Sequence, residues 1–204
     1  EEGLVLSVDN ANPTFIKYCY DMEEQGRLVD YVVLMGYDEH WQGSEAGSVA
    51  SLSYVREGIQ AALNMVPEEK IISGLPFYAR VWTETPEAYA ASGAEIREDG
   101  NSEYERYSLD SVALSMGEIQ ALVEKSGVTP EWDESTGQYY VEIPLTHGKQ
   151  RIWIEDLKSM EAKLDVVSEH SLAGVAFWRI GMDNAEVWDL IVDYCESEDA
   201  ARQE

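Results

Sequence analysis

Three apolar runs in this sequence end in side chains able to hydrogen-bond, titrate or stack. In YVVLMGYDEHW the run gives way to Tyr37, Asp38, Glu39, His40 and Trp41. GLPF leads into Tyr78 and Arg80, and GVAF into Trp178 and Arg179. Aromatic rings stack on the apolar faces of sugar rings, while carboxylate and guanidinium groups bond hydroxyl and amide groups. Brought to one mouth, these residues suit a neutral, polyhydroxylated ligand. Each alone has a plainer reading: Trp178 as core, Tyr78 as the end of a strand, Asp38 as the N-cap of the next loop or helix. The functional reading rests on several strand ends carrying such groups together.

The elements that would position them alternate along the chain. LVLSVD reads as a strand over Leu4 to Val8, and residues 14–26 as a helix opening after Pro13. VDYVVLMGYD is a near-continuous, Val-rich run, the pattern of a parallel strand covered on both faces. Residues 52–66 place Val55, Ile59, Ala62, Leu63 and Val66 at helical spacing, closed by Pro67. KIISGLPFYARVW is the next strand. A helix over 155–169, the strand LAGVAFWRI and a helix over 184–195 complete the chain. Without the middle, the order βαβαβ…αβα implies a parallel sheet with right-handed crossovers. Such a sheet is either half of an eight-stranded barrel or an open doubly wound sheet. No Gly-rich phosphate loop follows any strand, which weighs against a nucleotide fold.

Residues 82–153 differ. After a polar stretch and the helix MGEIQALVEKSG, EWDESTGQYYVEIP and GKQRIWIED alternate apolar and polar residues around turns, as antiparallel hairpins do. The chain thus divides into a first parallel part at 1–81, an α+β insertion at 82–153, and a return to the parallel part at 154–204.

The 204 residues, 45% hydrophobic, are enough for one large domain with a real core. Forty acidic against 14 basic residues give a formal charge of -26. Nucleic acid and anionic membrane surfaces are therefore poor partners, since both need clustered Lys and Arg. No apolar run approaches the roughly 20 residues of a membrane span. Cys19 and Cys195 lie in helix-like segments and read as buried thiols. His40, His147 and His170 are scattered, so no metal is implied, and no cofactor is called for. The chain opens without an initiator Met or signal-peptide pattern and enters a strand-like run at once, as a piece of a longer protein would.

DYVVLMGYDEHWQGSEAGSVASLSYVREGI, EKIISGLPFYARVW and LAGVAFWRIGMDNAEVWDLI together resemble glycoside hydrolase family 18. The resemblance is nearest to its bacterial spore-cortex and cell-wall branch, often found with LysM modules. GVTPEWDESTGQYYVEI and RIWIEDLKSMEAKLDVV look like that branch's insertion and seventh helix. The resemblance implies an α/β fold: the C-terminal half, strands five to eight, of a TIM (β/α)8 barrel, with an α+β insertion between strand seven and helix seven. It implies cleavage of β-1,4 bonds next to N-acetylglucosamine, in chitin or peptidoglycan. The mechanism would be the substrate-assisted exception among retaining glycosidases.

By resemblance Tyr37 would hydrogen-bond the substrate acetamido group, with Asp38 as the neighbouring acid that polarises the sugar. Trp178 would floor the subsite of the distorted ring, and Tyr78 and Arg80 would line the cleft. Glu39, His40 and Trp41 match the branch's YDEH extension, with Trp41 either stacking on a neighbouring sugar or packing in the loop. Gly36 and Ala79 stand where the branch often has Ala and Gly. One departure is larger: the family signature D-x-x-D-x-D-x-E, which carries the acid Glu, occurs nowhere in the sequence. These residues alone are therefore expected to be inactive. The missing half-barrel, or a second copy of the chain, would cover the sheet edges. A non-catalytic, lectin-like relative is the alternative. The resemblance favours an extracellular, cell-wall or spore-surface location.

Overall fold

The computed structural model describes residues 3–14 and 20–201, with the side chains of 198–201 excepted. Four strands form a parallel sheet: β1 (Ser7–Ala11), β2 (Tyr31–Met35), β3 (Ile71–Pro76) and β9 (Gly174–Trp178). They stand in the order β1-β2-β3-β9. Helices α1 (Met22–Leu28), α2 (Leu52–Leu63) and α4 (Leu157–Glu169) lie on the connections between them, and α5 (Ala185–Ala201) follows β9. Val55, Ile59 and Ala62 recur at the spacing that gives α2 one apolar face. They join Val32, Leu34, Ile71 and Leu75 of the sheet, Met160, Leu164 and Val167 of α4, and Val187 and Ile191 of α5 in one core. Each Val, Leu, Ile or Met side chain among them, fully buried, contributes about 1.5–3 kcal/mol.

β2 departs from the expectation of cover on both faces. Val32 and Leu34 are buried, whereas Val33 and Met35 are half-buried and Tyr31 is exposed. The helices shield one face of the sheet and leave the other partly open. The first strand lies further along than LVLSVD suggests, because pairing begins at Ser7 opposite Tyr31. Leu4, Val5 and Leu6 stay outside the ladder, 83%, 71% and 56% exposed. Of the helix read over 14–26, residues 15–19 lie outside the described residues; α1 begins at Met22, where the Asp21 side chain accepts from the Glu24 N–H.

The single strand expected in KIISGLPFYARVW is two strands in two sheets. At Phe77 the N–H donates to the Trp178 carbonyl and the carbonyl accepts from the Met116 N–H, while the ring stacks on Phe177 at 4.6 Å. The chain is thus tied to β9 at the point where it turns away. β4 (Tyr78–Pro86) then starts an antiparallel sheet with β5 (Tyr107–Ser115), β6 (Glu131–Asp133), β7 (Gln138–Leu145) and β8 (Gly148–Ile154), ordered β5-β4-β8-β7-β6. This sheet begins at Tyr78 rather than at residue 82. β5 had no sequence forecast, although it pairs with β4 over nine residues. Ala79, Val81, Val141, Ile143 and Ile152 on one face pack against Ile119 of α3 (Met116–Ser126), which opens with a capping box of Ser115 and Glu118.

Cys195 is exposed, not buried. Along α5 Val187, Leu190, Ile191 and Tyr194 pack against the core, and Cys195, one position past Tyr194, falls off that apolar stripe. Cys19 lies outside the described residues.

Candidate functional site

The C-terminal ends of the parallel strands gather most of the singled-out residues. The turn after β2 needs a close approach of two backbones. A Cβ on Gly36 would stand 2.8 Å from the Gly74 carbonyl oxygen, which accepts the Gly36 N–H at 2.9 Å. Beyond it Asp38 takes a left-handed conformation, φ 58, which Asp tolerates better than most residues and which clusters at functional sites. The turn leaves the Asp38 side chain exposed, where its carboxylate accepts from the Tyr78 hydroxyl at 2.7 Å.

The Tyr37 ring lies between two others. Its centroid is 6.4 Å from Tyr78, edge to face, and 6.4 Å from Trp178, stacked. Trp178 ends β9 and is 53% exposed, so it is not a core residue. Burial pushes the Tyr78 hydroxyl well above its ordinary pKa, and the hydrogen bond to Asp38 adds to this. Tyr37 is raised as well, through burial first and then the charges of Asp9 and Asp38. Both hydroxyls are thereby held neutral, as donors. Arg80, two residues along β4 from Tyr78, donates to the Ser111 hydroxyl at 3.2 Å, and its Nε is buried without a hydrogen-bond partner.

A cleft of about 290 Å³ opens beside this cluster, lined among others by Tyr37, Asp38, Trp41, Asn12 and Tyr54. Trp41, 55% exposed, also borders an adjoining polar hollow of about 320 Å³ with His40, Arg97 and Asn101. A larger cavity of about 400 Å³ beneath α3 contains none of the singled-out residues. Glu39 lines both hollows and His40 the second, but their polar atoms are engaged within the protein. Both Glu39 oxygens accept from Ser51, at its N–H (2.7 Å) and its hydroxyl (3.0 Å), where Ser51 caps α2. His40 Nδ1 lies 2.9 Å from the Ser48 carbonyl oxygen.

Residues 3–183 match the profile of glycosyl hydrolases family 18. The chain belongs to that family. It is 26% identical over 175 residues to the cortical fragment-lytic enzyme of Bacillus subtilis, covering 85% of this chain and 36% of that protein. The spore cortex-lytic enzyme SleL of Bacillus cereus superposes with a TM-score of 0.78 at 25% identity, over 95% of this chain and 42% of that one. A chitinase from Chromobacterium violaceum shares the fold, with a TM-score of 0.76 at 22% identity, over 95% of this chain and 56% of that one. The chain spans little more than a third of the length of the Bacillus subtilis relative.

Within this family-18 chain, the strand ends bring together Tyr37, Asp38, Tyr78 and Trp178, with Arg80 beside Tyr78. Asn12 and Tyr54 line the same cleft and were missed. Asn12 comes directly after Ala11, the last residue of β1, so a correct end for that strand would have singled it out. Also missed were the groups that hold the Trp41 loop: the Trp82 indole donates to the Gly47 carbonyl at 2.8 Å, and Arg97 donates to the Ser44 carbonyl at 2.7 Å. Among the described residues no group of three His, Cys, Asp or Glu could hold a metal, and no helix is long and apolar enough to cross a membrane.

Proposed function

We propose that these residues form the sugar-holding part of a glycosidase that cleaves β-1,4 bonds next to N-acetylglucosamine, in chitin or in peptidoglycan such as the spore cortex. The observation that carries this reading is the Asp38–Tyr78 hydrogen bond at 2.7 Å beside the Tyr37 and Trp178 rings. Two neutral hydroxyls and one carboxylate face an aromatic platform, which suits an acetamido sugar. Tyr37 donates to the acetamido oxygen as it attacks the anomeric carbon, and Asp38 orients the acetamido group through its N–H. Trp178 floors the ring. Tyr78 fixes Asp38, and Arg80 and Trp41 border the cleft.

The parallel sheet, on this reading, is half of an eight-stranded barrel, strands five to eight, with the antiparallel sheet inserted after the seventh. Three features support it: among the described residues β1 and β9 each have one strand neighbour, one sheet face is only half-covered, and Leu4, Val5 and Leu6 are exposed. An uncovered apolar edge is a liability that proteins normally close. The other half-barrel, or a second copy, closes it. The acid Glu belongs to the D-x-x-D-x-D-x-E signature, which these 204 residues do not contain. A positioned general acid contributes about 10²–10⁴-fold in rate, so the 204 residues alone bind glycan without turning it over. The working enzyme acts at a cell wall or spore surface.

Titration calorimetry with tetra-N-acetylchitotetraose tests this. The chain is expected to bind it, and Asp38→Ala to weaken binding about 10- to 100-fold, the range for losing a charged hydrogen bond. Absence of binding, or equal binding by the variant, sinks the sugar site. Release of reducing ends by the 204 residues, abolished in Asp38→Ala, would instead overturn their inactivity.

A further inference from the structure

A buried polar chain runs from the loop after β2 into the antiparallel sheet. The Ser48 carbonyl receives the His40 N–H at 3.2 Å and faces His40 Nδ1 at 2.9 Å, while the Val49 carbonyl receives the Glu39 N–H at 2.9 Å. The Ser48 hydroxyl donates to the side-chain oxygen of Gln138, the first residue of β7, and accepts from the Ala50 N–H at 3.0 Å. The Gln138 amide nitrogen donates to Glu155 Oε1 at 3.1 Å. Lys163 of α4 donates to both Glu155 oxygens, and the Ser159 hydroxyl adds a further bond at 2.6 Å. Ser48, Gln138, Glu155 and Lys163 are each no more than 2% exposed.

The chemistry of this chain has a direction. Lys163 donates to both Glu155 oxygens and Ser159 to one of them, so Glu155 stands there as an acceptor, and the neighbouring Gln138 must turn its NH₂ end toward it. That leaves the amide oxygen, an acceptor, facing Ser48 and obliges the Ser48 hydroxyl to donate. A carboxylate at 138 could not donate to Glu155, and an apolar side chain could serve neither neighbour. This hold adds to those that Trp82 and Arg97 give the same loop from outside, at Gly47 and Ser44. Asp38 sits in a left-handed conformation that costs about 1–3 kcal/mol for an L-residue. The exposed Trp41 is tied through its backbone, where its N–H donates to the Ser44 hydroxyl at 3.1 Å and its carbonyl receives the Ser44 N–H at 2.9 Å. Gly47 lies directly against the His40 ring, where a Cβ would come within 2.4 Å of it, so the loop has no room for a side chain at that point.

We propose that Gln138 is a positioning residue for the sugar-holding loop: acting through Ser48, it fixes the backbone of residues 39–49 and so the directions of Asp38 and Trp41. Gln138 touches no sugar. Its part in binding rests on the function proposed above, whereas its hold on the loop does not. Loops held in their bound shape bind more tightly because less freedom is lost on association.

Hydrogen exchange on the 204-residue chain, with and without tetra-N-acetylchitotetraose, tests this in Gln138→Leu, Ser48→Ala and Ser48→Thr. In Gln138→Leu and Ser48→Ala the Glu39 and His40 amides are expected to exchange about tenfold faster or more, while those of Val33 and Leu34 in β2 keep their protection. Sugar affinity falls about tenfold alongside. Ser48→Thr keeps the hydroxyl and restores both. Unchanged Glu39 and His40 exchange in Gln138→Leu and Ser48→Ala would overturn the proposal. So would equal acceleration of the β2 amides, since Gln138 would then serve general stability. Should Gln138→Leu not fold, the same two outcomes in Ser48→Ala decide the matter. Failure of the unaltered chain to bind the sugar would fell the proposed function alone, because the exchange comparison needs no ligand.

Discussion

At the rim of the parallel sheet Tyr37, Asp38, Tyr78 and Trp178 form a lightly bonded cluster, whereas at the root of the antiparallel sheet Ser48, Gln138, Glu155 and Lys163 form a closed one. Asp38 and Trp178 are exposed, and the Asp38 carboxylate takes one side-chain hydrogen bond, from Tyr78. Glu155 is buried with Lys163, Ser159 and Gln138 all donating to it. Burial pushes the Glu155 carboxyl up, against the pull of Lys163 and the two hydrogen-bond donors. A carboxylate in water keeps lone pairs free for a ligand; one inside protein keeps its charge only if every oxygen is answered. The same residue type thus serves recognition in one place and rigidity in the other. The loop of residues 39–51 joins the two.

The largest effect expected from this contrast lies at the closed cluster. Lys163→Met leaves Glu155 buried without its cation, and is expected to lower unfolding free energy by about 3–5 kcal/mol. Adding Glu155→Met removes the unpaired carboxyl and recovers most of that loss, since apolar replacements of buried pairs are often neutral. Urea denaturation of the two variants measures both. A small loss for Lys163→Met alone would mean that water reaches Glu155 and that the cluster is not closed.

Next in size is a pH effect at the rim. The folded pKa of Tyr78 is raised, so the fold favours its neutral form. Its contribution is whole below about pH 10 and declines above it, where the unfolded chain releases the proton first. Unfolding free energy is expected to fall there by about 1.4 kcal/mol per pH unit on account of this one group. Tyr78→Phe removes that share of the slope. Tyr37, Tyr104, Tyr107 and Tyr140, each raised chiefly by burial, keep the remainder. Equal alkaline slopes for the two proteins would show that Tyr78 ionises as freely folded as unfolded.

Much of this arrangement was legible in the sequence, for physical reasons. Helical spacing at Val55, Ile59 and Ala62 marked α2, since one face of that helix meets the core. The hairpin β7–β8 was marked by alternation, since one of its faces packs on α3. The rim residues came from reading strand ends. Hidden features were those decided by partners far along the chain. Nothing local tells that KIISGLPFYARVW breaks at Phe77, because the break is made by bonds to Trp178 and Met116. The start of β1 is set by Tyr31, which stands opposite Ser7. Glu39 and Asp38 look alike as neighbouring acids, and only the position of Ser51 separates them.

That separation permits the smallest and sharpest test. Glu39 accepts from the Ser51 N–H and hydroxyl at the start of α2, where a negative charge also meets the positive end of the helix. Glu39→Ala is expected to cost about 1 kcal/mol of stability, the usual magnitude for losing a helix cap interaction. Its affinity for tetra-N-acetylchitotetraose should stay within about twofold of the unaltered chain, a difference of about 0.4 kcal/mol. Asp38→Asn should do the reverse. Asn tolerates the left-handed turn as Asp does, and the carboxylate it replaces is exposed, so stability changes little while affinity falls. If the two variants instead lose affinity alike, Glu39 reaches the sugar despite Ser51. The division between an open rim and a braced loop would then fall one residue further along the chain.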